Sequence, residues 1–429
     1  MRFLGVGETC DLGALYRSLQ AEGHEVRVAV SEPEARGTLA GLVPHVADWR
    51  AWLPWIREAG PDGVILFESV SEGFGALQDE LRAQGFNVIG GSRYGDRLEN
   101  DRAHAQAVLA DLGFPAPSVI EFDDPAAAAA FVRERPARWV LKVSGADHSA
   151  ADTYVGRLSD GADVAAMLER RGMEPGRRFI LMEFLEGVEM GVGAYFDGTR
   201  FLRPACLDWE HKRFFPGDLG ELTGEMGTVV TYERTETFFA RTLARLEPLL
   251  RENGYDGYIN LNTIVNERGI WPLEFTCRFG YPGFAVLSPL QETPWGELFA
   301  MMVRGSHERF RARPGLCVGV VLTTPPFPYS REQVDEPVGL PVLVEAEEPE
   351  HHHYGEVGLD EGGRLVTSGL YGWTMVVTGI GKDVDEARRA AYERVARVFA
   401  PNLRYRHDIG VRLAGGELAR VEALGLLDP

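Results

Sequence analysis

The sequence predicts an α/β protein made of an N-terminal doubly wound unit, a two-lobed core and a small C-terminal mixed α/β unit. Three observations carry this expectation. Short apolar runs alternate with helical stripes over residues 1 to about 92, the pattern of parallel strands joined by crossover helices. A long two-armed alternation ends at Gly280 and reads as a hairpin. From about residue 315, apolar runs are followed by one helical stripe, DEARRAAYERVARVF. The expected units are residues 1–95, 96–312 with a smaller lobe over about 118–190, and 313–429.

The chain has 429 residues and a formal charge of -20, from 64 acidic against 44 basic side chains. Such a surface repels nucleic acid and anionic membranes, so neither is an expected partner, and no apolar run reaches membrane-spanning length. Met1 leads directly into the strand-like RFLGVG, with no export signal, so cytoplasm is the expected compartment. Cys10, Cys206, Cys277 and Cys317 are far apart and lack CxxC spacing, which makes them core thiols rather than zinc ligands or a disulfide framework.

In chain order, RFLGVG is a strand and Leu12, Leu15, Tyr16 and Leu19 form a helical stripe closed by Gly23. EVRVAV, GVILFES and FNVIGG are further strands, with a helix near Ala76 to Gln84. Gly5-Val6-Gly7 is similar to the start of a dinucleotide fingerprint, but Cys10 takes the place of the third glycine. Asn100 or Asp101 caps the helix of AHAQAVLADLG, and Gly113 ends it. DDPAAAAAFVRER is an alanine-rich helix without chemistry. WVLKVSG is an apolar strand with one lysine, Lys142, which is expensive to bury unless it faces an anion. FILMEFL is likewise apolar except for Glu183. His351-His352-His353, flanked by acids, reads as a loop of mixed charge, because three adjacent histidines do not easily face one ion.

The hairpin concentrates polar groups. With a three-residue loop Glu267-Arg268-Gly269, Asn266 pairs with Ile270, Asn262 lies opposite Glu274, and Asn260 opposite Thr276. Arg278 follows on the same parity, and Arg-Phe-Gly-Tyr-Pro-Gly makes a turn that lets backbone approach a ligand. A carboxylate, carbonyl oxygens and an arginine suit Mg-nucleotide chemistry, since Mg²⁺ takes oxygen ligands and shares them with phosphates. A half-exposed hairpin with a wet face is the alternative.

Glu-Phe-Thr-Cys-Arg-Phe-Gly, residues 274–280, resembles the metal-binding strand of the ATP-grasp superfamily, and specifically that of the phosphoribosylamine-glycine ligases. The resemblance runs end to end: LENDRAHAQAVLADLGFPAP, His211-Lys212-Arg213, Thr223-Gly224-Glu225-Met226-Gly227 and Arg406-His407-Asp408-Ile409-Gly410 also carry it. It implies an ATP-grasp core between the two flanking units. It also implies metal ligands at Glu274, Asn262 and Thr276, and nucleotide contacts at Arg102, Lys142, Glu183, Phe184, Leu185 and Glu189. Catalytic cations are implied at Arg278, Lys212 and Arg213.

Several positions depart from the family. Gly7-Glu8-Thr9-Cys10-Asp11 stands where relatives have Gly-Gly-Arg-Glu-His, and Phe67-Glu68-Ser69 stands where they have Gly-Pro-Glu. Residues 145–152 lack the expected lysine and most of the expected glycines. Thr276 replaces Asn, Glu225 replaces glycine, and Gly369-Leu370-Tyr371-Gly372 lacks the arginine of Gly-Gly-Arg-Val.

The activity implied is an ATP-dependent carboxylate-amine ligase, working through an acyl phosphate with ATP and Mg²⁺ or Mn²⁺. The carboxylate would be glycine or another amino acid, and the protein a monomer or homodimer. Three readings stay open: the purine-pathway ligase itself, a ligase of this fold with another amine, and a nucleotide-binding relative without catalysis.

Overall fold

The computed structural model describes residues 1–68, 73–143, 153–170, 178–305 and 309–429, so the loop expected over the phosphates at 145–152 lies outside the described residues. β1 (Arg2–Gly7), β2 (Glu25–Val30), β3 (Gly63–Phe67) and β4 (Asn87–Ile89) form one parallel sheet in the order β2-β1-β3-β4. Helices Gly13–Ala21 and Phe74–Ala83 cross between strands, the second near the stretch the pattern marks. The glycines of β1 serve packing. A Cβ at Gly5 would lie 2.3 Å from the Tyr16 hydroxyl, and one at Gly7 2.4 Å from the Glu68 carboxylate. Their smallness admits two buried polar side chains rather than a pyrophosphate.

The smaller lobe is a separate antiparallel sheet, with its own core of Leu141, Leu168, Phe179 and Leu181. Its strands β5 (Val119–Phe122), β6 (Trp139–Val143), β7 (Thr153–Val155) and β8 (Phe179–Glu183) lie in the order β5-β8-β6-β7. Helices Pro125–Glu134 and Ala162–Arg170 complete the lobe. Between the two sheets, Asp101 caps helix Arg102–Asp111 by accepting the His104 N–H at 2.9 Å.

The large sheet is antiparallel throughout. β9 (Val188–Phe196) and β10 (Cys206–Glu210) are followed by a small hairpin, β11 (Arg213–Phe215) and β12 (Leu219–Leu222), and then β13 (Gly227–Thr231). β14 (Gly257–Asn266), β15 (Gly269–Thr276) and β16 (Leu316–Thr323) come next. The last segment adds β17 (Leu343–Val344), β18 (His352–Tyr354), β19 (Val357–Leu359), β20 (Leu365–Thr367), β21 (Trp373–Gly381) and β22 (Val398–Phe399). The sheet order is β15-β14-β9-β10-β13-β16-β21-β18, so strands from beyond residue 313 extend the same sheet that carries the hairpin. One hydrophobic core runs from Phe3 to Leu426. No helix among the described residues is long and apolar enough to cross a membrane.

Two expectations need correction. The hairpin keeps Asn260 opposite Thr276 and Asn262 opposite Glu274, but then shifts, pairing Thr263 with Pro272 and Asn266 with Gly269. The loop therefore has two residues rather than three. Leu273 is the extra residue of a bulge beside Pro272, which has no N–H to continue the ladder. The histidine run is not a loop either. His352 and His353 belong to β18 and are buried, and His351 and His353 lie within hydrogen-bonding distance of the Thr378 hydroxyl at 3.0 and 3.3 Å.

Candidate active site

A cavity of about 590 Å³ opens beside the hairpin and is lined from all three parts of the chain. Glu8, Thr9 and Asp11 come from the turn after β1, Asp208, Glu210 and Lys212 from β10 and its exit, and Asn260, Asn262, Glu274 and Thr276 from the hairpin. Arg278 follows β15, Glu225 precedes β13, and Tyr371 and Trp373 enter from the last segment. Strand parity explains the convergence. Residues two apart on a strand share a face, and paired residues share it across β14, β9 and β10, so Asp208 and Glu210 on β10 line the cavity with Asn260 and Asn262 on β14. Between these strands, on β9, a Cβ at Gly191 would fall 2.2 Å from Asp208 Oδ1, so this glycine leaves room for the carboxylate.

Lys212 is the electrostatic hub. Its Nζ lies 2.6 Å from Glu274, 3.1 Å from Glu210 and 3.5 Å from Glu189. Burial opposes its charge, but Glu210, Glu274 and Glu189 outweigh burial and raise its pKa well above the ordinary lysine value. Lys212 in turn lowers the pKa of Glu274 against the pull of burial, with help from Arg102 and Lys142. Lys142 itself is brought down to about 8 by burial and by the Arg102 cation. Lys212 thus pairs with one ionised carboxylate, which Arg102 and Lys142 also favour by their charge.

The donor set at this end fits a divalent cation. Asn262 donates through Nδ2 to Glu189 at 2.8 Å, while its buried Oδ1 has no hydrogen-bond partner and stands opposite Glu274. An ionised carboxylate beside an unfilled amide oxygen is what a hard, oxygen-seeking ion requires.

Arg278 is held by Glu99, which accepts its Nε at 3.0 Å and the Cys277 N–H at 2.6 Å. Burial works against the guanidinium charge, and Glu99 and Asp11 more than restore it. Glu99 had no signal in the sequence, since it sits on helix Arg93–Asn100 and meets Arg278 only through the tertiary fold.

Other expected residues lie elsewhere. Arg213 does not line the cavity; its guanidinium donates to the Gly220 carbonyl at 2.9 Å within the β11–β12 hairpin. Glu183 pairs with Arg268 at 3.2 Å, and the Arg138 guanidinium stacks 3.4 Å from the centre of the Phe184 ring. Leu185 is buried, while Arg102 is exposed at the start of its helix. Glu189 sits with Asn262 and Lys212, accepting from Asn262 Nδ2 at 2.8 Å and lying 3.5 Å from Lys212 Nζ.

The Arg406–Gly410 motif acts from behind. Arg406 is fully buried, bonded to Asp408 at 2.8 Å and to Asp218 and the Arg213 carbonyl at 3.0 Å. Asp408 accepts the Gly217 N–H at 2.8 Å, and His211 Nε2 accepts the Gly410 N–H at 3.1 Å. Burial, Arg412 and Arg406 push His211 down to about 4, so it is a neutral strut rather than an acid-base group. The motif therefore clamps the segment that presents Lys212.

This architecture, with a doubly wound unit, a small antiparallel lobe and a metal-type hairpin between, places the chain in the ATP-grasp superfamily. Residues 100–284 match the family model described as the phosphoribosylglycinamide synthetase ATP-grasp (A) domain, and residues 317–412 match that of its C domain. Within the superfamily the chain is thus of the phosphoribosylglycinamide synthetase type. A phosphoribosylamine-glycine ligase of Mycobacterium bovis is 29% identical over 437 residues, covering 98% of this chain and 100% of that protein. One from Nostoc sp. is 29% identical over 349 residues, covering 79% of this chain and 81% of that protein. The crystal structure of phosphoribosylamine-glycine ligase from Thermotoga maritima superposes with a TM-score of 0.71 at 22% identity, covering 95% of this chain and 100% of that one.

Proposed function

We propose that the protein is an ATP-dependent ligase that joins an amino-acid carboxylate, glycine or a close analogue, to an amine. The observation that carries this is the cavity in which Glu274 meets Lys212 and Asn262 Oδ1 is left without a hydrogen-bond partner, with the charges of Arg102 and Lys142 acting on Glu274.

On this reading the nucleotide lies along the edge of the smaller lobe, with its base by Glu183, Phe184 and Leu185 and Glu189 at its ribose end. Arg102 and Lys142 neutralise its phosphates. Glu274, Asn262 Oδ1 and Thr276 would hold Mg²⁺ or Mn²⁺, which when bound supplies charge neutralisation on the phosphate oxygens. Lys212 and Arg278 are point charges fixed by carboxylates before substrate arrives, so they stabilise charge that develops in transfer without reorganising. The substrate carboxylate attacks the γ-phosphorus to give an acyl phosphate and ADP, and the amine then displaces phosphate to give the amide. The division into units 1–95, 96–312 and 313–429 belongs to the same proposal, with the cavity at their junction.

Carboxylate-dependent ADP release in the presence of Mg²⁺ or Mn²⁺ tests this reading, with glycine and other amino acids as substrates and Glu274→Ala as control. Release that needs a carboxylate and disappears in the control supports it. Nucleotide binding without turnover on any carboxylate points instead to a non-catalytic relative.

A further inference from the structure

The charges lining the cavity are unevenly paired. Among its described lining residues, Lys212 and Arg278 are the only lysine and arginine, and both are already engaged, Lys212 by Glu274 and Glu210 and Arg278 by Glu99. Glu8, Asp11, Asp208 and Glu225 remain; none of them has a cationic nitrogen within 4.0 Å among the described residues, although Asp11 acts on Arg278 from farther off. Glu225 is 6% exposed, lines the cavity, and its Oε1 has no hydrogen-bond partner. Asp208 is also 6% exposed; Asn260 donates to its Oδ2 at 2.6 Å, and its Oδ1 has no partner. Two buried carboxylates with unfilled oxygens are costly in a fold unless a ligand completes them.

The arrangement suits an extended organic cation better than a metal ion. The only described trio of His, Cys, Asp or Glu side chains whose ligating atoms lie within 4.8 Å of one another is Glu32, Glu34 and Glu332, away from this cavity. The cavity acids are therefore spread along a wall rather than gathered into a cage. Aromatic rings line the cavity beside these acids: a Cβ on Gly224, next to Glu225, would lie 3.2 Å from the Trp373 ring. Tyr281 and Trp373 stack with ring centroids 4.8 Å apart, and Tyr371 lies 5.9 Å from Trp373, offering π faces that attract ammonium groups. A phosphorylated amine would instead meet acceptors, with no uncommitted cation among the described lining residues.

We propose that the amine acceptor carries at least one further positive charge and no phosphate, as in a diamine or polyamine, with its distal ammonium held between Asp208 and Glu225. This rests on the ligase reading above. The proximal nitrogen, once neutral, attacks the acyl phosphate carbonyl; the C–N bond forms, the C–O bond to phosphate breaks, and phosphate leaves. In balance, carboxylate, ammonium and ATP give amide, ADP and phosphate, and the ammonium protons not retained in the amide pass to phosphate and solvent.

The experiment uses the full chain with Mg-ATP and glycine, and compares putrescine and spermidine with butylamine and with phosphoribosylamine made in situ. Hydroxylamine serves separately as a small neutral trap of the acyl phosphate. The expected result is amide formation with the dications at a KM at least tenfold below that of butylamine. Glu225→Gln and Asp208→Asn should raise the dication KM tenfold or more while shifting the ATP KM less than twofold. Should Asp208→Asn fail to fold, Glu8→Gln on the exposed rim and calorimetric titration of spermidine into Glu225→Gln report on the same wall. Turnover with phosphoribosylamine, equal KM values for butylamine and putrescine, or hydroxamate formation without any dication binding overturns the proposal. So does a rise in the glycine KM alone, which would put these acids on the amino-acid ammonium. Absence of hydroxamate with every carboxylate overturns the ligase reading itself, and spermidine calorimetry then still decides whether the wall binds cations.

Discussion

Glu274 and Glu68 are both carboxylates near one cavity, and their surroundings give them opposite properties. Glu274 is half exposed and held ionised chiefly by Lys212, so Glu274→Gln leaves folding intact, with a stability change within about 0.5 kcal/mol as for other exposed sites. It should reduce ADP release on the order of 100-fold and raise the Mg²⁺ concentration needed for half-maximal rate, both read from a metal titration of initial rates. Glu68 is buried under Gly7, accepts the Tyr16 hydroxyl at 2.5 Å and the Asp11 N–H at 2.8 Å, and is pushed up to about 8 by burial and by Asp11. Its folded pKa lies above its unfolded value, so the native state retains a proton that the unfolded chain releases. Its contribution to stability is therefore largest at low pH and falls as pH rises from about 5 to 8. Glu68→Gln removes this dependence, and the difference in Tm between variant and wild type should become more positive from pH 5 to pH 8. A difference that is flat across this range would contradict the assignment.

At the scale of elements, the hairpin shows both what the sequence discloses and where it stops. The pairing of Asn262 with Glu274 was legible because alternation fixes which side chains share a face. The turn was not, because the bulge at Leu273 shifts the ladder by one residue and two-residue and three-residue loops then fit the same alternation. The loop carrying Tyr371 and Trp373 was equally hidden. It is fixed by Glu356, which lies in a separate stretch of sequence and accepts the N–H groups of Leu370 at 2.8 Å, Tyr371 at 2.9 Å and Trp373 at 3.0 Å, as well as that of Gly372. Glu356→Gln replaces one of these acceptor oxygens with an amide that faces N–H donors. It should cost roughly 2–4 kcal/mol in urea denaturation, with a change in the near-UV signal of the aromatic wall. An unchanged midpoint would show that the loop is held by its rings alone.

Across the whole molecule, the site depends on parts that sequence proximity does not connect. The motif at Arg406–Gly410 was visible as a match to relatives, but its work as a clamp on the Lys212 segment appears only when the chain is folded. Burial tends to raise the Asp408 carboxyl, and Arg406 with the Gly217 N–H overrides it, holding it at about 2. Its folded pKa lies below its unfolded one, so its stabilisation is present above about pH 4 and is lost as pH falls toward 2. Asp408→Asn leaves the buried guanidinium with Asp218 and the Arg213 carbonyl. It should cost about 3 kcal/mol at neutral pH, remove this acid-limb dependence, and lower kcat by releasing Lys212. A variant that loses stability but keeps kcat would separate the clamp from catalysis. The measurement that tests the central claim most directly is hydroxylamine trapping with Mg-ATP and an amino-acid panel. The account predicts a hydroxamate formed one-for-one with ADP, dependent on the carboxylate and reduced on the order of 100-fold in Glu274→Gln. ATP binding without hydroxamate or carboxylate-dependent ADP across the panel would contradict it.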